Sequence, residues 1–173
     1  MKNIEIKYRL TQFPEIFQFL RTVPEVRQLK TIHQKDIYFQ TYHGRLKLRI
    51  PSSETAELIY YERENLSSAR ESNYYLYPVP NPQQLQELLG QALGIITTVE
   101  KERTLFVYRN VRIHLDRVAQ LGEFLELESV LFPDAPLEYA AENLRHIQQL
   151  LEHFEMIPQS GSYADLLKEK ASI

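Results

Sequence analysis

The 173-residue sequence has no cysteine and no tryptophan. Without cysteine there can be neither disulfides nor thiolate metal sites, so any metal must be bound through oxygen or nitrogen. A cysteine-free chain suits a reducing cytoplasm, the expected location. Glycine is scarce at five residues, and neither a Walker loop nor Gly-x-Gly-x-x-Gly occurs. A phosphate ligand would therefore have to be held by side chains rather than by a backbone nest. No apolar stretch approaches membrane-spanning length, and Met1-Lys2-Asn3-Ile4-Glu5-Ile6-Lys7 is unlike the apolar run of a signal peptide. No membrane partner is expected. A basic excess is missing as well: 20 Lys and Arg stand against 23 Asp and Glu, a formal charge of −3. That argues against a nucleic-acid partner, while leaving the cations free to gather in one cavity. The histidines His33, His43, His146 and His153 lack zinc-like spacing.

What is present is alternation. Hydrophobic residues make up 43% of the chain, enough for one domain over 1–173 to bury a core without covalent staples. Ile4–Leu10 alternates apolar and charged residues, the period of a strand with two unlike faces. Thr11 is expected to cap a helix with Pro14 in its first turn. A hairpin is predicted from Ile32–Thr41 through a turn at His43-Gly44 into Arg45–Ile50, followed by strands at Glu57–Arg63 and Arg70–Val79 with a turn at Asn65–Ser68. A helix at Pro82–Leu93 opens on Asn81 and closes near Gly94. Val99–Tyr108 and Val111–Asp116 form a second hairpin, and Glu123–Glu128 another alternating strand. Pro136 starts an amphipathic helix to Phe154, and a short turn at Tyr163–Leu167 follows. This reading gives about eight strands and three helices.

One face of nearly every strand is ionic. Glu5, Lys7 and Arg9 share a face, as do Arg45, Lys47 and Arg49. Lys101 and Arg103 share another, as do Arg112, His114 and Asp116, and Glu126 with Glu128. The opposite faces carry Ile4, Ile6, Tyr8, Leu46, Leu48, Val111, Ile113, Leu115, Leu125 and Leu127. An antiparallel sheet that solvates one face produces the same alternation. Pattern alone leaves both arrangements open; the number of strands speaks for a closed barrel, which removes exposed edges and turns the charges inward. Cations on several walls suit successive phosphates of a polyphosphate, and carboxylates on separate strands suit a hard divalent ion that bridges phosphate oxygens. The cluster Tyr74-Tyr75-Tyr77 could stack a base, although aromatic residues are ordinary strand formers.

In order along the chain, Asn3-Ile4-Glu5-Ile6-Lys7, His33–Phe39, Lys47–Ile50, Arg70-Glu71, Val99–Arg103, His114–Asp116 and Leu121–Glu128 resemble the motifs of the CYTH, or triphosphate tunnel, superfamily. That superfamily includes class IV adenylyl cyclases and thiamine triphosphatases. The resemblance implies an α+β fold, an eight-stranded antiparallel β-barrel with helices packed outside. It implies a nucleoside triphosphate or tripolyphosphate as ligand and Mg²⁺ or Mn²⁺ as cofactor. The matched positions make Glu5, Asp116, Glu126 and Glu128 candidate metal ligands. Arg49 and Arg70 become phosphate-binding residues, and Lys7, Lys101 and Arg103 catalytic ones. Lys47 joins the phosphate contacts by strand parity. A homodimer is compatible with this reading.

Two positions depart from the family pattern: Asn3 stands where the signature has its first glutamate, and Tyr61 where family members often have a lysine. Three functions stay open. They are a cyclase lyase releasing pyrophosphate from ATP, a triphosphatase, and a module that binds nucleotide or polyphosphate without turnover.

Overall fold

The computed structural model describes residues 2–62 and 66–172. Arg63, part of the Asn65–Ser68 turn and the side chain of Arg70 lie outside the described residues. The chain order is β1 (Lys2–Leu10), α1 (Phe13–Thr22), β2 (Arg27–Phe39), β3 (Arg45–Pro51), β4 (Ala56–Glu62), β5 (Arg70–Val79), α2 (Pro82–Leu93), β6 (Ile95–Tyr108), β7 (Val111–Val118), β8 (Gly122–Leu131), α3 (Leu137–Leu150), β9 (Met156–Pro158) and α4 (Tyr163–Ala171). Strand order β5-β4-β3-β2-β6-β7-β8-β1 closes through an antiparallel β1–β5 pairing. The result is an eight-stranded antiparallel barrel with one extra strand and four helices, the expected α+β class. Closure divides β1 between partners: residues 2–5 pair with β5, and residues 8–10 with the short β9.

The sequence alternation becomes an inside and an outside. Outward-facing Ile6, Tyr8, Ile113, Leu115, Leu125 and Leu127 are buried beneath Phe13, Ile16 and Leu20 of α1 and Leu144 and Ile147 of α3. Each fully buried aliphatic side chain there contributes about 1.5–3 kcal/mol, so this layer carries much of the fold's stability. A second outer layer of Ile37, Phe39, Leu48, Ala56 and Val79 lies under Leu85 and Leu89 of α2. With both outer layers covered, the ionic faces have only the barrel interior left. Gly44, at φ +62, turns β2 into β3, and a Cβ there would strike the Tyr60 ring.

Element boundaries shift from the sequence expectation for local reasons. Gln12, not Thr11, is the N-cap of α1, and it makes no side-chain cap hydrogen bond. Pro136 caps α3 rather than opening it, and the helix ends at Leu150, before Phe154. The expected turn at Tyr163–Leu167 is a full helix, held by a capping box in which Ser162 and Asp165 satisfy each other's backbone N–H groups. Among the described residues no helix is long and apolar enough to cross a membrane.

Candidate active site

The barrel encloses a cavity of about 140 Å³. β1 contributes Asn3, Glu5 and Lys7, β3 contributes Lys47 and Arg49, and β6 contributes Lys101 and Arg103. β7 contributes Arg112 and His114, and β8 contributes Glu126 and Glu128. Among the described residues these include all the charged groups of its lining, and nearly all were expected there. Arg9 and Arg45 were placed with them by parity but do not line it. Arg9 donates to the Leu121 carbonyl at 3.1 Å and Arg45 to Asp165 at 2.8 Å. For Arg70 only the backbone is described; it stands opposite Glu5 in register.

Two carboxylates behind the lining organise the cations. Asp36 accepts from Lys47 at 2.9 Å and lies 3.6 Å from Lys101 and 3.8 Å from Arg49. Asp116, with no exposed surface, receives both ends of the Arg103 guanidinium at 2.6 Å and lies 3.8 Å from Lys101. Burial works to raise both acids, but Lys47, Lys101 and Arg49 hold Asp36 far below the usual carboxylate range, and Arg103 with Lys101 brings Asp116 to about 2. Lys101 is pressed the other way. Burial and the neighbouring Arg103 outweigh its two carboxylates and bring it down to about 7.

The opposite wall is acidic. Glu126 lies 3.4 Å from Lys7 and 3.7 Å from Arg103. Glu128 faces His114 at 3.2 Å and Arg112 at 3.6 Å, and accepts from the Asn3 amide. Burial opposes ionisation of Glu128, yet the His114 hydrogen bond and Arg112 bring it down to about 2. Burial and Arg103 keep His114 below its ordinary value, hence neutral.

Helix α4 forms the floor. Tyr163 donates its hydroxyl to Asp116 at 2.8 Å and turns its ring to Lys7 and Lys101, whose ammonium groups stand 3.9 and 4.9 Å from its centroid. Both cations are thereby held from a second side. The Asp165 carboxylate of the capping box also accepts from Arg45, tying the helix to β3.

A family model described as the CYTH domain matches residues 1–156. The chain belongs to the CYTH domain family. No curated protein matches it. Among solved structures, the PH1012 protein from Pyrococcus horikoshii OT3 is similar at TM-score 0.81 and 22% identity, covering 95% of this chain and 98% of that one. A Vibrio parahaemolyticus protein whose name proposes an adenylate cyclase gives 0.73 at 17% identity, over 96% and 97%. The S. pombe Pct1 RNA triphosphatase, in complex with the Spt5 CTD, gives 0.50 at 16%, over 87% and 83%. These likenesses carry the fold. Helix α4 lies beyond the matched residues, although it builds the floor of the CYTH cavity.

Of the four candidate metal ligands, Glu5, Glu126 and Glu128 line the cavity. Asp116 does not, because Arg103 and Tyr163 occupy its oxygens. Among the described residues no three His, Cys, Asp or Glu side chains gather closely enough to cage a metal. The donors are nevertheless hard oxygens, and the Asn3 side-chain oxygen is buried with no hydrogen-bond partner. Mg²⁺ typically takes one or two carboxylates and completes its shell with water and substrate phosphate. The residues fit a divalent ion that is shared with a phosphate ligand.

Sequence reasoning assigned no role to Asp36, to Tyr163 or to Tyr38, which also lines the cavity. Asp36 lies inside a quoted motif, and its inward parity with Gln34 and Tyr38 was readable. For Tyr163 the available signal was the Ser162-x-x-Asp165 capping pattern, which marks a helix but not where it docks. The tyrosine cluster divides by strand parity: Tyr74 lines the cavity, while Tyr75 and Tyr77 are exposed.

Proposed function

We propose that this CYTH chain is a metal-dependent enzyme acting on a triphosphate in the barrel cavity, with ATP conversion to cyclic AMP and pyrophosphate as the first reading. One observation carries the proposal. Lys7, Lys47, Arg49, Lys101 and Arg103 converge from three strands on one cavity that also holds Glu5, Glu126 and Glu128. Such a lining matches a chain of phosphates with a bridging cation and little else. The likeness to a protein named for adenylate cyclase activity supports the cyclase version. The cysteine-free composition suits the cytoplasm, where nucleoside triphosphates are found.

In this reading Lys47, Arg49 and Arg70 hold the phosphates, and Lys7 and Arg103 stabilise charge on the pyrophosphate as it leaves. Mg²⁺ or Mn²⁺, held by Glu126 with Glu5 or Glu128 and by phosphate oxygens, would neutralise charge on the reacting phosphate. The ribose 3′-hydroxyl oxygen forms the new bond to the α-phosphorus while the bond to the bridging oxygen of pyrophosphate breaks. The hydroxyl proton passes to water, and Lys101, returned to its charged form by the bound phosphates, adds its charge to those that stabilise the reacting phosphate.

A triphosphatase would use the same groups with water attacking the terminal phosphorus, a reading supported by the fold shared with an RNA triphosphatase. Binding without turnover is favoured by Asn3 and by Tyr61, which stands where the family often has lysine. Purified protein incubated with ATP, other nucleoside triphosphates or tripolyphosphate, and Mg²⁺ or Mn²⁺, separates the three. Cyclic AMP with pyrophosphate supports the proposal. Free phosphate makes the chain a triphosphatase, and saturable binding with no product makes it a sensor.

A further inference from the structure

Glu128 holds two neighbours by their donor ends. A carboxylate only accepts, so the Asn3 amide and the His114 Nε2 that meet its two oxygens must each bring an N–H group to it. That fixes the amide orientation of Asn3 and the tautomer of His114. The atoms left over, Asn3 Oδ1 and His114 Nδ1, are then both lone-pair acceptors. Both are buried, and neither has a hydrogen-bond partner among the described residues. Both residues line the cavity, at 3% and 6% exposure. One carboxylate thus turns two unused acceptors towards the space where a phosphate ligand and a cation would meet. Buried acceptors left unpaired are costly, and two together point to an electrophile between them.

Ionised phosphate is not that electrophile, because its oxygens are acceptors too. A divalent cation is. Metal-bound histidines typically give their second ring N–H to a carboxylate, the arrangement of His114 with Glu128. Glu126 stands opposite His114 in register and faces the same cavity. Resting on the metal-dependent reading above, we infer that His114 Nδ1 and Asn3 Oδ1 hold the divalent ion beside the Glu126 carboxylate, with Glu128 positioning both, and that the ion is a transition metal such as Mn²⁺ rather than Mg²⁺. An imidazole nitrogen is a poor ligand for Mg²⁺, which takes oxygen, whereas first-row transition ions accept it. Asn3, standing where the signature has its first glutamate, then keeps an oxygen donor at that position and removes one negative charge.

The test is pulsed electron paramagnetic resonance of the full chain with one equivalent of Mn²⁺, alone and with inorganic tripolyphosphate. A nitrogen coupling is expected, and it should change when only histidine carries the heavy nitrogen isotope. It should disappear in His114→Asn, whose amide oxygen still serves the ion, so that Mn²⁺ stays bound. Competition should show Mn²⁺ binding about tenfold more tightly than Mg²⁺ in the wild type, with a narrower ratio in that variant. Glu128→Gln should weaken Mn²⁺ by about 10–100-fold. Mn²⁺ bound with no nitrogen coupling, or a coupling that survives His114→Asn, overturns the inference. If that variant does not fold, phosphorus and labelled-nitrogen couplings on one wild-type ion decide, and absence of the nitrogen coupling overturns it. Failure to bind Mn²⁺ in either condition removes the metal-dependent reading itself, a result distinct from an ion held by oxygen alone.

Discussion

The cavity uses carboxylates in two ways. Asp36 and Asp116 stand behind the lining with essentially no exposed surface, each surrounded by cations from neighbouring strands. Glu126 and Glu128 have similar chemistry but face the cavity, each with about 15% of its side chain exposed (17% and 15%). The first pair compensates charges the barrel has already buried. The second pair keeps oxygen within reach of a ligand. What distinguishes them is access to the cavity, which residue type does not reveal.

The largest effect that would break this comparison is on stability. Asp116→Asn leaves Arg103 and Lys101 buried without their main counter-charge and should cost about 3–5 kcal/mol in urea denaturation. Added tripolyphosphate should recover part of that loss, since it supplies the missing negative charge. A loss under 1 kcal/mol would show that Asp116 does not compensate those cations. Glu126→Gln should cost less stability than Asp116→Asn, because its side chain keeps 17% exposure to the cavity, while turnover falls by about 10²-fold, roughly 2.7 kcal/mol in the barrier. Unchanged turnover would remove Glu126 from the metal assignment.

Tyr163→Phe keeps the ring over Lys7 and Lys101 but deletes the hydroxyl on Asp116. A hydrogen bond to a buried charge is worth about 2 kcal/mol, readable as a lower melting temperature. The conserved ring should leave tripolyphosphate affinity nearly intact, whereas Tyr163→Leu should weaken it.

Lys101 gives a pH dependence of opposite sign for folding and binding. Its folded pKa of about 7 lies below its ordinary value of 10.5, so between those values the unfolded chain binds more protons. Its penalty on stability is full below pH 7 and disappears as pH rises towards 10.5. Binding of a polyanion needs the charged form, so affinity should fall with pH above 7, by up to tenfold per unit, about 1.4 kcal/mol. Calorimetry in two buffers of different ionisation enthalpy should detect proton uptake at pH 8, and its absence would contradict the assignment. The smallest effect belongs to the outer surface. Arg117 bridges Glu102 and Glu123 while half exposed, and Glu123→Gln should cost no more than about 1 kcal/mol by the same denaturation measurement.

Strand existence was legible because burial on one face writes a two-residue period into β1, β3, β7 and β8. Most of the cavity lining followed from that period once the barrel closed. The faces misled only near strand ends: Arg9 and Arg45 have inward parity but reach a backbone carbonyl and Asp165 instead. Helix α4 was underestimated because nine residues give little amphipathic signal, while its capping pair was a local sign that went unused.

By itself the sequence determined which residues alternate, that a phosphate ligand would have to be met by side chains, and that a metal would find mainly hard oxygen donors. Those properties are local, fixed by strand geometry and side-chain chemistry. Only the tertiary structure decided that Asp36 and Asp116 neutralise buried cations while Glu126 and Glu128 face the cavity. It alone placed Tyr163 on the floor of the cavity. Those outcomes depend on distances between residues far apart in the chain, and strand closure sets them.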